Sequence, residues 1–207
     1  MGIKNFFICI IVFSINLSGF SSNDYLKKLS FYNLENSIMK ETEFKENGVK
    51  LQYNIQAHKE DELNRIIKLM NNKYYIKNIK DKYHFYLEGT NVIEIKIWEE
   101  NNITFVEGFI INKDKNISTK YLKEELDGIL SNKSNNKKYF KYYKGIITNA
   151  DKLDINNFEL KEESLKVQNG YVGKGILENR EKFSYAIMKY NTETQIIIGT
   201  PVIFTTY

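Results

Sequence analysis

The chain has 207 residues, 27% charged and 42% hydrophobic, a globular balance sized for one domain or two small ones. Lys and Arg number 30 against 26 Asp and Glu, and a net +4 falls well short of the basic footprint of a dedicated nucleic-acid binder. One Cys excludes a disulfide scaffold and a Cys-based zinc site, and one Pro excludes a Pro-rich linker.

The N-terminus reads as an export signal. Lys4 supplies a short positive region, and Phe6 to Leu17 is an apolar run. Gly19 and Ser21 then place small residues around a cleavage point after Ser21. A run of twelve residues is short of the about 20 that a spanning helix needs, so cleavage is expected over retention as an anchor or burial as a helix. Cys9 lies inside the apolar run, so the mature chain carries no thiol, as suits an oxidising exterior. Only Lys4 is lost among charged residues, which leaves 186 residues and a charge of +3. Beyond residue 21, the Asn-x-Ser/Thr triplets at Asn102, Asn116 and Asn132 are chance matches expected in an Asn-rich chain.

Next, Asn23 to Asn47 carries Leu26, Leu29, Leu34, Ile38 and Met39 at near-helical spacing, and Asn47-Gly48 is the expected stop. Val49, Leu51, Tyr53 and Ile55 alternate with polar residues, the pattern of a strand with one buried face. Glu60, Asp61 and Glu62 suit a first helical turn. Leu63, Ile66, Ile67 and Met70 follow as one helical face. Three strands are predicted at Lys82–Glu88, Val92–Trp98 and Ile103–Asn112, with turns at Gly89-Thr90-Asn91 and Glu100-Asn101-Asn102.

The same order then recurs. Ser118 or Thr119 caps a helix with the stripe Leu122, Leu126, Ile129 and Leu130. A polar loop spans Ser131 to Lys137, and a strand spans Tyr139 to Thr148. Asp154 caps a weaker helix with Ile155, Phe158 and Leu165, and strands follow at Gly170–Leu177, Phe183–Tyr190 and Gln195–Thr206. Matching elements lie roughly 90 residues apart, the signature of an internal duplication. The expectation is a signal peptide over 1–21, a first α/β repeat over 22–112 and a second over 113–207. Together these make one two-lobed α+β domain with helices on one face of an antiparallel sheet.

The C-terminal run Tyr185-Ala186, Tyr190-Asn191 and Ile196-Ile197-Ile198-Gly199-Thr200-Pro201-Val202-Ile203, closing at Tyr207, resembles the ending of the YwmB-like family. These are small exported proteins of spore-forming Gram-positive bacteria. The resemblance covers the layout of the whole chain but only about twenty residues of sequence. The family's penultimate acidic residue is Thr206 here, so no acidic role carries over. The resemblance implies a duplicated fold like that of the TATA-box-binding protein, with a curved sheet backed by helices and no assigned biochemical function. Fold alone licenses no activity.

Several residues are candidates for a site. Lys137, Lys138, Lys141 and Lys144 interleave with Tyr139, Phe140, Tyr142 and Tyr143, a pattern that fits either a polyanion surface or a strand with Phe140 and Tyr142 buried and lysines at the margin. Trp98 falls in parity with Glu94 and Lys96, opposite Ile93, Ile95 and Ile97, so it is either a packing contact or part of a recognition surface. His58 and His84 have no metal-ligand spacing. Glu99-Glu100 and Glu124-Glu125 are adjacent, so each pair diverges and makes no acid–base couple. Gly170, Gly173 and Gly175 are in the wrong order for a dinucleotide loop and mark a turn or bulge. Gly199-Thr200-Pro201 marks a bulge or an edge position in the last strand.

The expected function is that of an exported, envelope-associated, non-catalytic binding or accessory module. No cofactor or metal is expected, an envelope protein or wall polymer is the expected partner, and no nucleic acid and no membrane span after cleavage are expected. An extracytoplasmic enzyme and a nucleic-acid binder are the alternatives.

Overall fold

The structure, a computed structural model, describes residues 30–71, 75–79, 82–86, 92–148, 164–190 and 193–204. The expected leader, the helix capped by Asp154, Thr206 and Tyr207 lie outside the described residues, as does the side chain of His84.

The first described helix, α1 (Phe31–Glu41), begins where Ser30 Oγ accepts from Asn33 N at 3.3 Å. Its buried residues are Phe31, Leu34, Glu35 and Ile38, the i, i+3, i+4, i+7 stripe of a helix on a core. It ends six residues before the expected stop. From Thr42 onward the period changes to two, and β1 (Thr42–Ile55) runs straight through Asn47-Gly48. Tertiary contacts override the turn preference of this dipeptide. The Asn47 side chain donates to Glu35 Oε1 and to the Ile117 carbonyl, each at 2.8 Å. Gly48 lies beneath the Tyr142 ring, where a Cβ would collide.

The helix α2 (Lys59–Met70) carries the expected acidic first turn. Four strands follow where three were expected: β2 (Tyr75–Ile79), β3 (Lys82–Tyr86), β4 (Val92–Glu100) and β5 (Ile103–Asn112). The β4–β5 turn is the two-residue Asn101-Asn102, with φ of 52° and 61°, the left-handed pair that a tight hairpin requires and Asn tolerates.

Then come α3 (Thr119–Asp127), capped by Ser118, and β6 (Asn135–Ile147). The last four strands are β7 (Leu165–Val167), β8 (Gly170–Ile176), β9 (Lys182–Tyr190) and β10 (Glu193–Thr200). Leu165, expected in a helix, is in the three-residue strand β7. The last strand stops at Thr200, so Pro201 follows β10 and occupies neither a bulge nor an edge; β10 is an interior strand.

The fold is α+β. The described strands form one antiparallel sheet in the order β2-β3-β4-β5-β1-β6-β10-β9-β8-β7. The two long strands β1 and β6 pair at its centre, with Val49 opposite Lys141 and Gly48 opposite Tyr142. Residues directly opposite share a face, so one face carries Val49, Leu51, Tyr139 and Tyr143. All three described helices pack on that face.

They pack crosswise. Leu122 and Leu126 of α3, with the adjacent Ile129, join α2 over Val49, Leu51, Ile93, Ile95, Val106 and Ile110 of β1, β4 and β5. Phe31, Leu34 and Ile38 of α1 lie on Tyr143, Tyr185, Ile187, Ile196 and Ile198 of β6, β9 and β10. Among the described residues, α1 of the first half covers strands of the second, and α3 of the second half joins α2 over strands of the first.

Gly173 and Gly175 sit directly opposite Tyr185 and Phe183, whose rings lie across them. They are seats for aromatic rings within β8 and not the turn or bulge that their spacing suggested; Gly170 alone stands at a strand start.

Candidate interaction face

Strand alternation distributes the lysine run. Lys138 and Lys144 belong to the face without helices, in register with Gln52 and Glu46. Lys141 belongs to the helix face, where its Nζ donates to Glu181 Oε1 at 3.1 Å and lies 5.7 Å from the centre of the Phe31 ring. Lys137 follows Asn136, whose φ of 51° accompanies an extra residue of β6 against β1. The four cations therefore do not form one patch. Phe140 and Tyr142 also point to the helix-free face, and Tyr142 is fully buried there, not under a helix.

What buries it is the segment after β10. Phe204 packs edge-on against Tyr142 at 5.1 Å and Phe140 at 6.3 Å between ring centres. Ile203 forms a small second core with Ala186 and Ile197. Lys50 Nζ lies 4.9 Å from the Phe140 ring centre and 5.2 Å from that of Phe204, and 3.7 Å from Glu107 Oε2. The second half of the face is thus roofed by residues 201–204.

The first half has no such roof among the described residues. Trp98 is half-buried there and stacks on Phe105, with ring centres 5.5 Å apart and planes within 13°. The Lys96 ammonium lies 5.4 Å over the Trp98 ring. Pairing sets Trp98 opposite Phe105, Phe105 opposite Asn54, and Asn54 opposite Asn135. The neighbouring row reads Lys96, Glu107, Gln52 and Lys138. Within it Gln52 donates to Glu107 at 2.5 Å. Trp98 thus packs on Phe105, on the part of the sheet that has no roof among the described residues.

The remaining candidates are accounted for by local structure. His58 is exposed at the start of α2 and 3.8 Å from Glu99. Glu99 Oε2 accepts from Lys59 N at 3.0 Å, a carboxylate at the positive end of α2. Glu100 points away from it and is exposed, and Glu124 is exposed on α3. Among the described residues, no three His, Cys, Asp or Glu are grouped to hold a metal ion.

Two buried carboxylates escaped the sequence reading, although both sit on apolar helical stripes. Glu35 is 1% exposed and accepts from Asn47, from Thr119 N at 3.3 Å and from Thr119 Oγ1 at 2.5 Å. Burial pushes its pKa up, against the opposing pull of these donors and of Lys141. Glu62 is 2% exposed, accepts from Tyr53 at 2.7 Å and forms a two-point pair with Arg65. The Arg65 guanidinium also caps the Ile129 carbonyl at 2.5 Å. Burial, then the neighbouring Glu62, raises the Tyr53 pKa, and the Glu62 hydrogen bond raises that of Arg65. Burial likewise pushes Tyr143 up to about 12. These groups tie helices to the sheet beneath them and face no open surface.

No protein-family model matches the chain, and no curated protein sequence matches it.

Proposed function

We propose that this is an exported, envelope-associated, non-catalytic binding protein that recognises its partner with the helix-free face of its sheet. The observation that carries the reading is the Trp98–Phe105 stack, which stands on the part of the helix-free face that has no roof among the described residues, while the described helices occupy the other face. Half-buried aromatics among polar side chains are the usual anchors of recognition surfaces. The export half of the reading rests on the leader pattern of residues 1–21.

The palindromic strand order, with a long strand of each half at the centre, supports a duplication of the TATA-box-binding-protein type. It fits the resemblance of the C-terminal run to the YwmB-like family. The nucleic-acid alternative is disfavoured by the same face. Architectural binders of the minor groove use basic side chains and apolar wedges. Here Trp98 and Phe105 stand on one half only, Lys50 is paired with Glu107, and Phe204 roofs the other half.

Fractionation of cells into cytosol, membrane, wall and medium tests the reading. The expected result is a chain beginning at Ser22 outside the cytosol, retained with envelope material and released by Trp98→Ala with Phe105→Ala. A full-length cytosolic chain, or retention indifferent to both substitutions, would overturn it.

A further inference from the structure

We infer that the row Trp98, Phe105, Asn54 and Asn135 is a binding site for an uncharged oligosaccharide chain. The inference rests on the proposed use of this face for recognition and names the ligand class.

The register brings two rings and then two carboxamides into one line across β4, β5, β1 and β6. Three strand spacings give a row about 14 Å long, enough for a short run of sugar rings. Each part of the row has a counterpart on a pyranose chain. The apolar C–H faces of a sugar ring stack on aromatic faces, and its hydroxyl or acetamido groups pair with carboxamides, which both donate and accept.

The row itself favours an uncharged ligand. None of the four residues is ionisable. Of the cations on this face, Lys50 is engaged by Glu107 and the Phe140 and Phe204 rings and Lys96 by the Trp98 ring, while Lys138, at the far end of the neighbouring row, is exposed. A polyanion would have to disrupt these pairs, whereas a neutral chain needs only the exposed Lys96 head to swing aside. Trp98 is half-buried, so part of its ring area remains to be covered.

Trp98 is the only tryptophan of the chain, so its emission reports on the site directly. The test titrates the mature protein with a β-1,4-linked tetramer of N-acetylglucosamine and, separately, with the corresponding glucose tetramer. A saturable change in Trp98 emission with either supports the inference; a preference for the first assigns the carboxamides to the acetamido group. Asn54→Ala with Asn135→Ala keeps the probe and should weaken binding about tenfold, the size expected for losing well-placed polar contacts. Trp98→Phe, followed by calorimetry, should weaken it less than Trp98→Ala.

No saturable change up to about ten millimolar of either sugar, well beyond useful affinity, would overturn the inference. So would a response to duplex DNA or heparin alone, or equal affinity in the Asn54/Asn135 variant. If envelope material is still held through Trp98 and Phe105 while both sugars fail, the face is a recognition surface for another ligand and only the sugar inference falls.

Discussion

Glu35 of α1 receives both the hydroxyl and the backbone N–H of Thr119, 84 residues further along, at the first turn of α3. A carboxylate at a helix N-terminus satisfies donors that the helix leaves unpaired and meets the positive end of its dipole. The contact joins the two helices that cross over between the halves. Asn47 and Asn112 extend it into β1 and β5, with Asn112 Nδ2 donating to Asn47 Oδ1 at 2.9 Å.

This contact gives stability a pH signature. The folded-state pKa of Glu35 lies above its ordinary value of 4.5, so the folded chain holds that proton more tightly than the unfolded one. The contribution is complete below 4.5 and is lost as pH rises through the folded-state value. Glu35→Gln removes the titration. Urea midpoints of variant and parent should therefore shift in favour of the variant as pH rises across that window. Glu35→Ala leaves Thr119 and Asn47 donors unpaired and should cost about 1–3 kcal/mol below pH 4.5, and less as pH rises through the folded-state value.

Glu181 should behave oppositely. Burial opposes its ionisation, but the Thr200 hydroxyl beside it, Lys141 and Asn179 hold its carboxyl below the usual range. Its contribution is present above the unfolded value and is lost as pH falls through the folded one. Acid unfolding of Glu181→Gln should be less steep than that of the parent. Lys141→Met alone strands a carboxylate and should destabilise, whereas Lys141→Met with Glu181→Leu should recover much of the loss in a thermal melt. Substitutions testing anionic-polymer binding therefore belong at Lys137, Lys138 and Lys144, not at Lys141.

Crosswise helix packing predicts that neither half folds alone. Residues 22–112 lack α3 and so lose Leu122, Leu126 and Ile129 from the core over Val49, Leu51 and Ile95, and residues 113–207 lack α1. Each fragment should give collapsed, poorly dispersed amide NMR spectra, where an independent repeat would give a folded one. In the whole chain, Leu126→Ala should cost about 2–5 kcal/mol, the range for emptying a buried leucine site.

The glycine seats in β8 predict coupling. Gly173→Ala places a methyl against the Tyr185 ring and should lower stability by about 1–3 kcal/mol. In a Tyr185→Ala background the same change should cost far less, and the double-mutant cycle measures the difference.

Much of this architecture is legible in local pattern. The acidic first turn of α2, the alternation of β1 and the Asn101-Asn102 hairpin follow from residue type and spacing. The parity of Trp98 places it opposite the Ile row, as found. What escapes depends on distant residues. Asn47-Gly48 reads as a helix stop because its reasons for being extended are Glu35, Ile117 and Tyr142. Lys141 looks like its neighbours in the run until Glu181 and Phe31 are brought to it. The three-residue β7 is too short to carry a period, and the roof formed by Ile203 and Phe204 follows a proline that sequence reading placed inside a strand.

The reading of the helix-free face is tested most directly by photo-crosslinking in living cells from two positions. One carries benzoylphenylalanine in place of Phe105 on that face, the other in place of Leu69, which is 49% exposed on α2. The account predicts envelope-derived adducts from position 105 and none from position 69. Adducts from position 69 alone, or chromosomal DNA captured from position 105, would contradict it.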